Sequence, residues 1–257
     1  MDVVPGVDAL TPGNGPAFVV VGVFDGLHLG HRYLLEHLVL EADRREARPV
    51  VITFDHHPDE VLTGMAPPLL LDPEERLERL AAAGVEVAVV QHFDAALRET
   101  TYDTFVERIR SRVMLSGFLM TPDAAFGFER RGTPAALGAL GADLGFEVVV
   151  IPSFDLDGRA VRSTEIRADI AAGRLQHAAR LLGRPLTLTG WADGPDPERQ
   201  TLRFALPTAL PPAGSYPARV GDRSVTLDVR DGMATIHPRT AGRRITIELL
   251  ADGPDQA

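Results

Sequence analysis

Two histidines three residues apart, His28 and His31, stand in a run that also carries three evenly spaced glycines, Gly22, Gly26 and Gly30. At the first turn of a helix that spacing lets both imidazoles reach one oxygen-rich group. The glycines let the main chain approach a ligand closely, and a helix start offers unpaired N–H groups and a positive dipole end to an anion. The chemistry these residues could do is phosphate binding. A second run, Arg162-Ser163-Thr164-Glu165-Ile166-Arg167, has the same character. Ser163 or Thr164 is expected to cap a helix running through Ala172. The hydroxyls, the amides and Arg167 suit an anion there, each exposed contact with the helix end being worth about 0.3–1 kcal/mol.

These groups need elements to hold them. The β-branched and aromatic run at residues 18–24 reads as a strand buried on both faces, followed by a helix over about residues 30–45. Further strands are expected at residues 49–55, 85–93, 114–120 and 146–152, and helices at 73–83, 102–112 and 134–144, with Asp72 as an N-cap before Pro73. Alternating strands and helices with short connections predict an α/β fold with a doubly wound parallel sheet. In such sheets ligands gather beyond the carboxyl ends of the strands, where His28, His31, His57 and Asp123 would lie. The pattern changes near Pro185. Short alternating runs at 186–191, 201–205, 216–220, 224–229, 234–237 and 244–250, parted by Gly, Pro and Asp, predict a small antiparallel β module. Two domains are therefore expected, residues 1–185 and 186–257, with a frayed tail at 251–257.

Composition narrows the chemistry. The 257 residues are 45% hydrophobic, enough for a full core, and the net charge of −10 disfavours non-specific nucleic-acid binding. No apolar run approaches the roughly 20 residues of a membrane span, so a soluble cytoplasmic protein with no membrane partner is expected. There is no cysteine, which removes disulfides and thiolate nucleophiles. All 26 basic residues are arginine, so a phosphate-binding loop lysine and Schiff-base chemistry are excluded. A triphosphate would be met by arginine, histidine, hydroxyls, backbone N–H groups and a metal ion.

The full string Gly22-Val23-Phe24-Asp25-Gly26-Leu27-His28-Leu29-Gly30-His31 resembles the Gly-x-Phe-Asp-Gly-x-His-x-Gly-His motif of the bacterial FAD synthetase family. In that family the motif belongs to the FMN adenylyltransferase domain of the bifunctional riboflavin kinase/FMN adenylyltransferase, a member of the nucleotidylyltransferase superfamily. Thr53-Phe54-Asp55-His56-His57-Pro58 is similar to the family's Thr-Phe-Asp-Pro-His-Pro, with His56 in place of the first proline. Residues 162–167 resemble Ser-Ser-Thr-x-Ile-Arg, and residues 178–185 resemble the domain-ending Ala-x-x-Leu-Leu-Gly-Arg-Pro. Thr121 to Gly127 resembles a family loop of the form Gly-x-Asn/Asp-Phe-x-Phe-Gly: Asp123, Phe126 and Gly127 are kept, while Thr121 replaces the glycine and Ala124 the first aromatic.

The resemblance implies a Rossmann-like sheet of nucleotidylyltransferase type and transfer of AMP from ATP to FMN, with Mg²⁺ bridging the phosphates. His28 and His31 would donate to the α/β-phosphates, and Ser163, Thr164 and Arg167 would hold the β/γ end. Gly22, Phe24, Asp25, Gly26 and Gly30 would complete the ATP site, and His57, Asp123 and Phe126 would border the FMN acceptor. His28, His31 and Arg167 form the implied catalytic set; no protein residue is assigned as a metal ligand. The altered loop leaves open a different phosphorylated acceptor or nucleotide, and a nucleotide- or flavin-binding protein without turnover is a third reading. The family's kinase module has a Gly-rich loop and Gly-Phe-Pro-Thr-Ala-Asn. Here residues 194–200 are rich in proline and acid, and Ala205-Leu206-Pro207-Thr208-Ala209-Leu210 ends in leucine. Prolines lack the N–H groups that cradle phosphate, so a truncated β-barrel without riboflavin kinase activity is expected. Trp191, the single tryptophan, is expected in its core or against the acceptor.

Overall fold

A computed structural model describes residues 1–194 and 196–250 of the chain, so the tail expected at 251–257 lies outside the described residues. The chain divides into two compact units. The first comprises residues 1–24, 30–67 and 77–154; the second comprises residues 25–29, 68–76 and 155 onward.

The first unit is built on parallel strands. They are β1 (Asp2–Val4), β2 (Ala17–Val21), β3 (Arg48–Phe54), β4 (Val87–Gln91), β5 (Leu115–Met120) and β6 (Glu147–Val150), in the order β1-β4-β3-β2-β5-β6. Strand β2 reads Ala-Phe-Val-Val-Val with its first four residues buried, as a strand covered on both faces requires. Helices α1 (Leu29–Asp43), α2 (Pro58–Thr63), α3 (Pro73–Ala82), α4 (Ala95–Arg98), α5 (Tyr102–Arg110) and α6 (Pro134–Leu144) fill the connections. The apolar faces of α5 and α6 share with the sheet a core that includes Val19, Ile52, Val89, Val106, Phe118 and Leu137. The close approach of β5 to β6 depends on Gly117, where a Cβ would stand 2.4 Å from the Glu147 carbonyl oxygen and 2.8 Å from the Phe18 ring.

In the second unit β7 (Asp155–Leu156) and β8 (Arg159–Ala160) form a short hairpin, followed by α7 (Ser163–Ala171) and α8 (Leu175–Leu182). Strands β9 (Thr187–Asp193), β10 (Gln200–Arg203), β11 (Gly214–Val220), β12 (Arg223–Arg230), β13 (Met233–His237) and β14 (Arg244–Leu249) close into an antiparallel barrel in the order β10-β13-β12-β11-β14-β9. Alternate residues of β12, namely Val225, Leu227 and Val229, are buried, as are Ile245, Ile247 and Leu249 of β14.

Several expectations need correction. The strand expected at 18–24 stops at Val21, because Phe24 takes φ 53°, which no strand accommodates. Residues 2–4, for which no strand was expected, pair in parallel with β4 at the sheet edge. The cap of α7 is Arg162 and makes no side-chain cap bond; Ser163 is the first helical residue and donates its hydroxyl to the Asp25 carbonyl at 3.1 Å. Trp191 is 38% exposed, with the Arg244 guanidinium 5.9 Å from its ring centroid, and so is not a core residue. Asp72 does cap α3, accepting from the amides of Glu74 and Glu75 at 3.0 and 3.2 Å.

Candidate active site

In the first unit the strand order places the topological switch between β2 and β5, the position at which open parallel sheets leave a crevice beyond their carboxyl ends. The loop after β2 begins with Gly22, whose amide still donates to Ile52 at 3.0 Å. A Cβ at Gly22 would lie 3.0 Å from the Phe24 ring, so glycine gives that ring its place. Phe24 is 1% exposed, and its centroid lies 5.1 Å from that of His31, the rings inclined at 49°. Phe24 and Leu27 (φ 39°) hold left-handed conformations that non-glycine residues rarely adopt, and Gly26 has φ 81°. Such local strain persists only where surrounding structure enforces it, and it concentrates at ligand sites.

Beside this loop is a cavity of about 690 Å³. Five phenylalanines line it, Phe54, Phe93, Phe105, Phe126 and Phe128, together with Val21, Gly22 and Val23 from the end of β2. Phe54 and Phe93 meet edge to face at 5.3 Å, and Phe126 lies 5.7 Å from Phe105 and 5.6 Å from Phe118. Arg98 and Arg130 contribute the cations of its lining. The loop carrying Phe126 is pinned at Gly127 (φ 77°), where a Cβ would meet the Tyr102 amide nitrogen at 2.6 Å. Of the three residues expected at the acceptor, Phe126 lines the cavity, whereas His57 and Asp123 each precede a lining residue, Pro58 and Ala124. His57 caps α2, accepting from the Asp59 amide at 3.2 Å. Asp123 is exposed and accepts from the Thr121 hydroxyl at 2.9 Å.

The second unit holds Asp25, Gly26, His28, Ser163, Thr164 and Arg167. Asp25 is 3% exposed; both its oxygens accept from the Leu70 amide at 3.0 Å, and its Oδ2 also accepts from Arg167. The Arg167 Nε donates to the Pro68 carbonyl at 2.7 Å. Gly26 is packed against Leu70, whose Cδ1 would be 3.0 Å from an added Cβ. The acid of the Gly22–His31 loop is thus committed to the main chain and to Arg167, which it orients. Thr164 is exposed as the second residue of α7. His28 is 5% exposed directly before α1, and its pKa is pushed down to about 4, by burial first and then by the nearby Arg184 and Arg167 charges. At neutral pH it is a hydrogen-bonding imidazole without charge. Gly30 and His31 follow in the first turn of α1.

Residue types alone did not single out Arg184, Arg98, Arg130, Phe54 or Phe93. A phenylalanine at the end of β3 and another two residues past the end of β4 were the available signal for the last two. At the ends of β3 and β4, Asp55, His56 and His92 offer ligand atoms that all lie within 4.8 Å of one another. The Asp55 carboxyl is held low: burial opposes this, and hydrogen bonds from His92 and His56 outweigh it. The His92 imidazole is raised by its bond to Asp55.

Comparison with known proteins agrees with this architecture. The model of the FAD synthetase family matches residues 11–165. The bifunctional riboflavin kinase/FMN adenylyltransferase of Haemophilus influenzae is 36% identical over 174 residues, 67% of this chain and 56% of that protein. The protein of the same name from Escherichia coli is 32% identical over 196 residues, 76% of this chain and 62% of its own length. The chain therefore spans roughly three-fifths of the curated relatives it matches. A crystal structure titled macrolide-efflux protein, from Streptococcus pneumoniae, superposes with a TM-score of 0.77 at 21% identity, covering 96% of this chain and 88% of that one, a likeness of fold alone. With the family model matched over more than half of its 257 residues, the chain belongs to the FAD synthetase family.

Proposed function

We propose that this chain is an FMN adenylyltransferase, transferring AMP from ATP to the phosphate of FMN to give FAD and pyrophosphate. The observation that carries the reading is the phenylalanine-lined cavity beside the glycine loop at the switch point of the sheet. A flat, largely apolar ring system suits such walls, and the five phenylalanines offset the missing aromatic at Ala124. Arg98 and Arg130 are suited to the acceptor's phosphate, and Phe126, with His57 and Asp123 near the rim, to its ring and polar edge.

In the reaction an oxygen of the FMN phosphate forms a bond to the α-phosphorus of ATP. The bond from that phosphorus to the β-bridging oxygen breaks, and its electron pair leaves with pyrophosphate. The attacking phosphate is already anionic, so no general base is required. Alignment can supply up to ~7–11 kcal/mol, with electrostatic stabilisation in addition. His28 and His31, with Gly22, Phe24, Gly26 and Gly30 shaping the loop, are assigned to the α/β-phosphates. A neutral His28 contributes a hydrogen bond there, while positive charge comes from Arg167 and Arg184. Ser163, Thr164 and Arg167 are assigned to the β/γ end, and Asp25 orients Arg167. Mg²⁺ enters as part of the ATP substrate; the commitment of Asp25 to Leu70 and Arg167 argues against that carboxylate as its ligand.

Transfer is assigned to residues 1–185. The module of residues 186–257 is read as riboflavin kinase-like without kinase activity, on the proline- and acid-rich 194–200 segment and on Leu210. Flavin fluorescence tests the acceptor assignment: FMN should be quenched on binding, and Phe126→Ala should weaken that binding about tenfold. Binding of FMN that Phe126→Ala leaves unchanged would contradict the cavity assignment. No FMN binding, with AMP transferred to another phosphorylated acceptor, would favour the second reading suggested by Thr121 and Ala124.

A further inference from the structure

We propose that Asp55, His56 and His92 form a binding site for a transition-metal dication of the zinc type. The site follows from strand register. Strands β3 and β4 run parallel with Phe54 opposite Gln91, and the Asp55 amide continues the ladder to the Gln91 carbonyl at 3.2 Å. Asp55 and His92 are thereby the next residues of neighbouring strands, which sit about 4.8 Å apart. His56 follows at once on the chain.

The side chains already converge. Asp55 Oδ2 is 2.6 Å from His92 Nδ1, and Asp55 Oδ1 is 3.2 Å from His56 Nδ1. The two imidazoles stand edge to face with centroids 5.9 Å apart. Donors around a tetrahedral ion with bonds of about 2.0–2.1 Å lie roughly 3.4 Å from one another, so small rotations of two solvent-facing rings close the set. The carboxylate is fixed from behind, its Oδ1 accepting the amides of His56 at 2.8 Å and Phe93 at 3.3 Å. Outer hydrogen bonds of this kind orient a ligand before the metal arrives.

Two imidazoles and one carboxylate favour Zn²⁺, Co²⁺ or Ni²⁺ over Mg²⁺, which demands oxygen donors. The side chain of His92 is 64% exposed, so a bound ion would keep positions open to water or to an anionic ligand. This site is separate from the residues assigned to ATP, and it stands or falls independently of the adenylyltransferase reading.

The test is direct titration of chelator-stripped, dialysed protein. Zn²⁺ should bind with a stoichiometry of one by calorimetry in the presence of millimolar Mg²⁺, and Co²⁺ should give visible absorption that Zn²⁺ removes. His56→Ala and His92→Ala should each lower Zn²⁺ affinity at least about tenfold with the far-ultraviolet circular dichroism unchanged, whereas His177→Ala should leave it as in the parent. Failure of the parent to take up Zn²⁺ at micromolar concentration, or a smaller loss in either cluster variant, would overturn the proposal.

Discussion

His28 concentrates the electrostatic argument in one side chain. It is 5% exposed with its pKa pushed down to about 4, so the unfolded chain, with an ordinary histidine near 6.5, binds the proton more readily. Its contribution to stability is complete above pH 6.5 and is lost as pH falls towards 4, by up to about 3 kcal/mol. The His28→Gln protein should therefore show a flatter dependence of its urea midpoint on pH across that window, and parallel curves for parent and variant would contradict the assignment. Asp25 is the complementary case. It satisfies the Leu70 amide and the side chain of Arg167, itself 16% exposed, and Asp25→Asn leaves that guanidinium without its counter-charge. A loss of about 3 kcal/mol by denaturant unfolding is expected, as for other broken buried pairs. A loss below about 1 kcal/mol would mean that Arg167 is compensated elsewhere.

Elements were legible wherever a run of residues settled its own conformation. The valine-rich stretches of β2, β3 and β4, the Asp72-Pro73 start of α3 and the alternating strands of the barrel could be read because local sequence and tertiary burial agree there. What sequence did not disclose depends on partners distant along the chain. Residues 2–4 become a strand only through β4, Ser163 turns from the helix cap to the Asp25 carbonyl, and the cavity of Phe54, Phe93 and Phe105 requires the strand register to bring its walls together. His28 and His31 could be picked out by spacing, but the burial that keeps His28 neutral could not. Glycine packing gives a paired test at this scale. Gly117→Ala puts a Cβ against the Glu147 carbonyl and the Phe18 ring, at an expected cost of about 1–3 kcal/mol. Gly138→Ala, on an exposed position of α6 with nothing within 4 Å, should instead stabilise by up to about 1 kcal/mol. Thermal unfolding of the two variants should shift in opposite directions; shifts of the same sign would contradict the packing account.

For the whole molecule, membership in the FAD synthetase family and two compact units frame the remaining question of activity. No helix among the described residues is long and apolar enough to cross a membrane. If the barrel has lost kinase chemistry, riboflavin with ATP and Mg²⁺ should yield no FMN by chromatography, and FMN in that assay would show that the proline-rich 194–200 segment still serves a nucleotide. The central claim is adenylyl transfer, and its most direct test follows both products. Purified protein with ATP, Mg²⁺ and FMN should form FAD and pyrophosphate in equal amounts, and His28→Ala should reduce both at least about a hundredfold while retaining its fold. ATP left intact in the presence of FMN, or a His28→Ala protein as active as the parent, would contradict the account.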